Sequence, residues 1–190
     1  INLILEWINL NKENPLAWSG FNCAMRLVNW IKILKDIDKE SIEIEQWNMI
    51  QSSIYQQYQF NSNNIDHHIP SNHIALQYYS VWLITIIFTK WNDSQQVKEI
   101  AKEVLLKEFE VEILSDGLHF ELSTHYHLQI ALLGLAVIQQ LENLEESIPT
   151  DFKELISKAV SVSDHFLIGD YFPTISDGCY NFFHEKKKQD

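Results

Sequence analysis

The stretch Asn72–Lys90, NHIALQYYSVWLITIIFTK, is apolar on nearly every side when it is drawn as a helix. The stretch that follows, Asp93–Ile113, DSQQVKEIAKEVLLKEFEVEI, is apolar along one stripe and charged on the opposite side. A helix that is apolar all round is buried on all sides, whereas a striped helix keeps one face in water. The two stretches therefore predict a hairpin made of one inner and one outer helix.

The same alternation extends along the chain. Two further all-apolar helices are predicted at Trp18–Lys35 and Thr124–Leu141, and striped helices at Ser41–Phe60 and Asp151–Leu167, after a first helix at Ile1–Leu10. The inner helices begin near Trp18, Asn72 and Tyr126, at a constant interval of 54 residues. This period predicts an all-α fold, an incomplete (α/α) toroid of alternating inner and outer antiparallel helices, with an irregular helical bundle as the alternative. Ser41, Asp93 and Asp151 are predicted to cap the outer helices.

The composition predicts one domain over residues 1–190. Hydrophobic residues make up 46% of the 190 residues, enough for a sizeable core, and with only 5 Gly and 4 Pro a turn-rich β fold is disfavoured. The net charge of −12 disfavours a nucleic-acid partner. No apolar run is long enough to span a bilayer. Because the helical pattern already runs from Ile1, we expect the chain to be a piece of a longer protein.

Two polar clusters begin inner helices. One is Ser71–His73 and the other is Glu121–His127. By the hairpin register they occupy equivalent ends of neighbouring inner helices, so we expect them to face one cleft. Functional side chains favour loops held by rigid elements, and the free N–H groups at a helix N-terminus attract anions.

These clusters carry a family resemblance. The stretch Asp116–His127, DGLHFELSTHYH, resembles the DG-x-H-x-E-x-S-x-x-Y-H signature of heparinase II/III-type polysaccharide lyases. The pair Asn72–His73 is similar to the asparagine–histidine element of that family, and Arg26–Trp30 to its R-x-x-N-W helix. Phe172–Asp177 resembles a degenerate form of the segment that ends the toroid. The matches follow the order of the family from Trp18 to Asp177.

The resemblance implies cleavage of a uronic-acid-containing polysaccharide by β-elimination. That reaction must neutralise a carboxylate, remove the adjacent proton and protonate the leaving oxygen. The catalytic residues implied are Asn72, which would neutralise the carboxylate, His73 as a partner in proton transfer, and Tyr126 as acid and, with a lowered pKa, as base. Asn72 alternatively caps its helix.

Three further residues are predicted to bind substrate. Glu121 would orient a histidine or a sugar hydroxyl, His127 is a second candidate for proton transfer, and Arg26 would pair with a substrate carboxylate. In a nearly apolar helix, Arg26 is equally well explained by a buried structural ion pair. Glu121, together with Ser123, is alternatively part of the chemistry that starts a helix. Tyr126 and His127 are alternatively polar groups satisfied within the protein at the helix entrance.

The resemblance also implies what surrounds the chain. The partners expected are an anionic polysaccharide and a C-terminal β-sandwich domain of the same parent protein, which would supply another catalytic histidine, so that the isolated chain would be inactive. No cofactor and no metal is expected. A periplasmic or secreted bacterial location is implied, although the sequence itself leaves the compartment open. Heparan, alginate and bacterial exopolysaccharides all remain candidate substrates.

Two other functions stay open. A non-catalytic carbohydrate-binding or scaffold protein fits the low basic charge. A metal-dependent hydrolase would use imidazoles and a carboxylate, although these lack standard ligand spacing; the candidates are Asp66, His67, His68, His73, His125 and His127.

Overall fold

A computed structural model describes residues 1–68, 71–91, 94–168 and 172–178, without the side chains of Lys39 and Ser94. Within these ranges the chain is all-α, and the single β-type pairing between described residues is an isolated bridge from Ile113 to His119. The α-helices are α1 (Asn2–Asn11), α2 (Gly20–Lys35), α3 (Ile44–Asn63), α4 (His73–Ile87), α5 (Ser94–Glu112), α6 (Thr124–Asn143) and α7 (Thr150–Ser163). Short 3₁₀ helices lie at Pro15–Ala17, Lys39–Ser41 and Asp164–Phe166.

The starts of the helices differ in how they are capped. Ser19 and Ser123 cap α2 and α6, because each hydroxyl accepts a hydrogen bond from a backbone N–H of the first turn. The predicted cap at Ser41 is wrong: Ser41 ends a 3₁₀ helix and donates its hydroxyl to the carbonyl of Asp38. The predicted cap at Asp93 lies outside the described residues. The predicted cap at Asp151 is also wrong: α7 begins at Thr150 with Pro149 at the N-cap position, so Asp151 lies inside its first turn.

The chain divides into two compact units, residues 1–105 and 106–190, with the boundary inside α5. In the first unit α2 packs on both α3 and α4, and α1 packs on α3. The close approach requires a glycine, since a Cβ at Gly20 would collide with the carbonyl of Asn64 and the side chain of Gln77. The aromatic ring of Trp7 lies 5.4 Å from that of Trp30 and 6.4 Å from that of Trp18.

In the second unit α6 packs on α7. A Cβ at Gly134 of α6 would collide with the side chain of Ile156 of α7, so the small residue sets how closely these helices approach. Phe109 and Phe152 meet edge to face at 5.3 Å and fill the core of this unit.

Burial follows the predicted alternation for most helices. In α4 ten of the fifteen residues are buried, whereas in α7 three of the fourteen are, as expected for an inner and an outer helix. The expectation that α6 is buried all round is wrong in part, because Leu132 and Leu135 are 55% and 43% exposed. No helix in the described part of the chain is both long and apolar enough to cross a membrane.

Candidate functional site

Asn72 stands at the N-cap position of α4 but does not cap it with its side chain. The residue is 7% exposed, and its backbone is already in the right-handed helical region, with φ −55° and ψ −8°. A capping residue ordinarily has extended backbone, which lets its side chain reach back to the first-turn N–H groups. The helix-cap interpretation of Asn72 is therefore wrong.

His73 begins α4 between an aromatic ring and a carboxylate. Its imidazole stacks on Phe21 at 3.9 Å between centroids, and its Nδ1 lies 3.5 Å from a carboxylate oxygen of Asp66. The buried side chain of Gln77 places Asp66, because its carbonyl oxygen accepts the Asp66 backbone N–H at 3.0 Å. The His73 side chain remains 35% exposed, so it can reach a ligand.

Arg26 lies half-buried on α2. Its Nε donates to the side-chain carbonyl of Gln57 at 2.8 Å, a terminal nitrogen approaches the Cys23 sulfur at 3.3 Å, and the guanidinium lies 4.1 Å from the ring centroid of Trp7. Burial lowers the pKa of Arg26. Among the described residues no carboxylate pairs with it, so the interpretation as a buried ion pair is wrong. A cation held by neutral groups and an aromatic face is suited to an external anion.

The loop before α6 is organised around a buried histidine. The ring of His119 accepts the Glu121 backbone N–H on Nδ1 at 3.4 Å, and its Nε2 lies 3.3 Å from a carboxylate oxygen of Glu112. Its own backbone N–H donates to Nδ1 of His127 at 3.2 Å. Burial lowers the pKa of His119 to about 4, so the ring is neutral and donates Nε2–H to Glu112.

His127 is buried, and both of its ring nitrogens are used inside the protein. Nδ1 accepts from His119, while Nε2 lies 3.0 Å from the carbonyl of Ala159 and 3.1 Å from the hydroxyl of Ser163. The carbonyl can only accept, so Nε2 carries the proton and the ring is neutral. Burial is the main cause that lowers the pKa of His127. These contacts favour a positioning role, and its predicted contact with substrate remains a prediction.

Glu121 is half-buried and incompletely satisfied. One of its carboxylate oxygens is buried without a hydrogen-bond partner in the described part of the chain. A buried carboxylate oxygen with no partner is costly, which favours a ligand donor such as a sugar hydroxyl at this position. The next residue, Leu122, has φ 53°, which is a strained backbone conformation for a residue with a bulky side chain. The loop therefore holds Glu121 in place at a cost in conformational free energy.

Tyr126 lies in the first turn of α6. Its hydroxyl donates to a carboxylate oxygen of Asp177 at 3.2 Å. Burial first, and then the carboxylates of Asp177 and Glu121, raise the pKa of Tyr126. A lowered pKa, which the role of base requires, is therefore not what these neighbours provide. The hydroxyl is suited to giving a proton rather than taking one.

The structure groups the predicted residues by unit. Arg26, Asn72 and His73 lie in the first unit, and the remaining three, Glu121, Tyr126 and His127, lie in the second. That the two groups face one cleft stays a prediction. Among the described residues no group of three or more His, Cys, Asp or Glu side chains is placed to hold a metal ion. The ligand cluster that the hydrolase alternative requires is thus not found in this part of the chain.

Sequence reasoning missed several residues of the site. Gln77, Glu112 and His119 were given no role, and Asp177 was noted only as the end of a degenerate segment. Each of the four has a partner at least seven positions away in sequence. The signal in the sequence was positional, since Gln77 and Glu112 are polar residues on otherwise apolar helix faces.

The helical hairpins, with polar Asn–His and Tyr–His clusters at the starts of α4 and α6, define an all-α domain, and comparison with known proteins identifies its family. Residues 6–187 match the profile of the heparinase II/III N-terminus. The chain belongs to the heparinase II/III family.

Relatives and solved structures support that assignment. A heparin-sulfate lyase of Bacteroides thetaiotaomicron is 27% identical over 101 residues, which are 52% of this chain and 14% of that protein. The crystal structure of heparinase III matches with a TM-score of 0.76 at 21% identity, over 92% of this chain and 28% of that one. A heparan sulfate lyase HepC mutant from Pedobacter heparinus matches with a TM-score of 0.65 at 18% identity, over 88% and 27%. The predicted fold class, an incomplete (α/α) toroid, is confirmed by these likenesses. The chain spans less than a third of each of these proteins.

Proposed function

We propose that the protein to which this chain belongs is a polysaccharide lyase that cleaves a uronic-acid-containing polysaccharide by β-elimination. The observation that carries the proposal is the family match over residues 6–187. The names of the similar proteins, heparin-sulfate lyase and heparinase III, point to the same substrate class, an anionic polysaccharide. The geometry of the individual side chains supports a division of roles among them.

The first step needs an acceptor for developing negative charge. The buried amide of Asn72 is assigned to the uronate carboxylate, because an N–H donor there stabilises the enolate-like intermediate. His73 is assigned the removal of the proton beside the carboxylate. The Asp66 carboxylate at 3.5 Å from Nδ1 stabilises the imidazolium that results. Arg26, which has neutral partners only in the described part of the chain, is assigned to a further anionic group of the polymer.

The second step breaks the glycosidic bond. The electron pair left on carbon forms the new double bond, and the leaving oxygen takes a proton from the hydroxyl of Tyr126. Its raised pKa favours the protonated phenol before the step. Glu121 is assigned to a sugar hydroxyl through its unpartnered carboxylate oxygen. His127 is assigned to fixing the loop at the start of α6.

The test is to incubate the parent protein with heparan sulfate, alginate and bacterial exopolysaccharides and to follow the ultraviolet absorbance of the unsaturated uronate product. We expect a rise with one polymer, and Tyr126→Phe should lower kcat by roughly 100-fold or more, the usual contribution of a general acid. Tyr55→Phe is the matched control, because the Tyr55 hydroxyl only accepts an exposed hydrogen bond from Gln59.

Other outcomes would favour the alternatives. Binding of one polymer without product, unchanged by Tyr126→Phe, would indicate a carbohydrate-binding protein. Cleavage that gives a saturated product and stops on addition of a chelator would indicate the metal-dependent hydrolase.

A further inference from the structure

The segment 172–178 is fastened to the first turn of α6 by backbone contacts. The Thr124 hydroxyl donates to the carbonyl of Pro173 at 2.8 Å and accepts the backbone N–H of Ile175 at 3.0 Å. The Thr124 backbone N–H donates to the carbonyl of Ile175 at 3.3 Å, and the Ser123 hydroxyl donates to the carbonyl of Asp177. Four bonds to two consecutive residues fix the path of the segment independently of the Asp177 side chain.

The end of the segment lies against the helix too closely for a side chain. A Cβ at Gly178 would approach the Cβ of His125 to 2.7 Å, which real Cβ atoms do not tolerate. The backbone contacts and this close approach hold residue 177 beside Tyr126. As a result, the Asp177 carboxylate lies 3.2 Å from the phenolic oxygen of Tyr126.

We propose that Asp177 is the positioning residue of Tyr126: its carboxylate accepts the phenolic hydrogen bond, fixes the direction of the hydroxyl and keeps the phenol in the proton-donating form. The inference rests on the proposed lyase function, since it takes Tyr126 as the acid. It assigns a role to a residue that the motif analysis left without one.

The electrostatics agree with that role. The titratable groups that face Tyr126 are the carboxylates of Asp177 and Glu121 and the imidazole of His125, whose ring centroid is 5.4 Å away. Both carboxylates disfavour a phenolate and raise the pKa of Tyr126, whereas burial lowers the pKa of His125 and so favours its neutral form. Asp177 is therefore the charged group in direct contact with the hydroxyl.

During the reaction the hydroxyl turns from Asp177 to the leaving oxygen, which takes the proton as its bond to carbon breaks. The phenolate that remains is again beside the Asp177 carboxylate. Like charges so close are unfavourable, which promotes reprotonation of Tyr126 from solvent and restores the acid for the next turnover. Asp177 thus acts before and after the step, and the reacting atoms belong to Tyr126 and the substrate.

The experiment compares Asp177→Asn with the unaltered parent protein, and Glu154→Gln, an exposed carboxylate on α7, is the matched control. The first readout needs no substrate: the pKa of Tyr126 is measured by NMR of protein labelled with carbon-13 tyrosine, the resonance being identified by its loss in Tyr126→Phe. We expect Asp177→Asn to lower this pKa towards the ordinary tyrosine value of about 10, and Glu154→Gln to leave it unchanged.

The second readout is the alkaline limb of the kcat/KM profile with the polymer that is cleaved. In Asp177→Asn this limb should move to lower pH by the same amount as the pKa of Tyr126, which a merely structural role would not produce. Gly178→Ala should displace the backbone of the segment from α6 and so weaken the contact between Asp177 and Tyr126. It should therefore shift the pKa of Tyr126 in the same direction.

Two results would overturn the proposal: a pKa of Tyr126 that does not fall in Asp177→Asn, or an alkaline limb that stays in place while that pKa falls. If no uronate polymer is cleaved by the unaltered protein, the lyase function fails and the catalytic role fails with it. The NMR shift would still show whether the contact with Asp177 exists, so the two failures are distinguishable.

Discussion

At the scale of single residues, His119 connects the parts of the second-unit site. Its ring and backbone bond to Glu112, Glu121 and His127 at the same time. No other side chain has an acceptor and a donor on opposite edges of one rigid ring, which explains a fully buried histidine in the loop before α6. The neutral ring is required for this pattern, because protonation would turn the acceptor Nδ1 into a donor that faces the Glu121 N–H.

This requirement predicts a loss of stability in acid. Burial lowers the pKa of His119 to about 4, below the ordinary 6.5, so the unfolded chain binds a proton that the folded chain does not. The contribution is fully present above pH 6.5 and falls by roughly 1 kcal/mol per pH unit as the pH decreases towards 4. Urea unfolding at pH 7 and pH 5 measures it.

The matched variant is His119→Gln, which keeps a donor and an acceptor but does not titrate. It should unfold more easily at pH 7 and lose less free energy of unfolding between pH 7 and pH 5 than the unaltered protein. Equal losses in both proteins would show that His119 titrates normally. The variant should still lose some stability in acid, because burial also lowers the pKa of His127.

Single residues were predictable where they belong to a local pattern. Asn72, His73 and Tyr126 were placed at helix starts by the hydrophobic period and the motif, and the structure has them there. Their partners were not predictable, because Asp177 meets Tyr126 from 51 positions away and only the folded chain brings them together. For the same reason the sequence left the state of Arg26 open, since its neutral partner Gln57 comes from another helix.

At the scale of secondary structure, the close packing of α6 on α7 depends on Gly134. Its missing side chain leaves the space that the side chain of Ile156 fills. Movement of α6 relative to α7 would displace Tyr126, which lies about two turns before Gly134 on the same helix. The helix pair is thus the rigid support of the candidate site in the second unit.

Gly134→Ala is expected to lower the free energy of unfolding by about 1 to 3 kcal/mol, because overpacking outweighs the gain in helix propensity. Ile156→Val in the same chain should restore part of that loss by removing the carbon that the new Cβ would strike. Gln139→Ala, on the exposed side of α6, is the control and should change little. Additive effects of Gly134→Ala and Ile156→Val would contradict direct contact, as a double-mutant cycle would show.

The helices themselves were largely predictable. The predicted inner helices begin within two residues of Gly20, His73 and Thr124, because their apolar period reports burial directly. The start of α3 was predicted three residues early, since the Ser41 hydroxyl bonds within a 3₁₀ turn instead of capping the helix. The exposure of Leu132 and Leu135 of α6 was not predictable, because an apolar period indicates an apolar face but does not specify what covers that face.

At the scale of the whole chain, the net charge of −12 opposes the approach of an anionic polymer. Proteins that bind polyanions through many Lys and Arg side chains release counterions, so their affinity falls steeply with salt. This chain has Arg26 as its single arginine, and its neighbours in the structure are neutral.

We therefore expect the part of uronate-polymer binding that this chain contributes to depend weakly on salt. The slope of log K against log salt concentration should be shallower than about −1, because few cations are neutralised. Calorimetry of the parent protein between about 50 and 200 mM salt gives the slope. Arg26→Gln should bring the slope closer to zero, whereas Lys153→Gln, on the outer helix α7, should not. A slope of about −3 or steeper would mean that a lysine cluster binds the polymer.

The distribution of tryptophan has a spectroscopic consequence. The cluster of Trp7, Trp18 and Trp30 belongs to the first unit, and the last tryptophan of the chain is Trp91. Within this chain, tryptophan emission therefore reports on residues 1–105 alone, while helical circular dichroism reports on both units. If emission and dichroism follow one melting curve, the two units unfold as a single cooperative body; if the curves separate, one unit can open while the other stays folded.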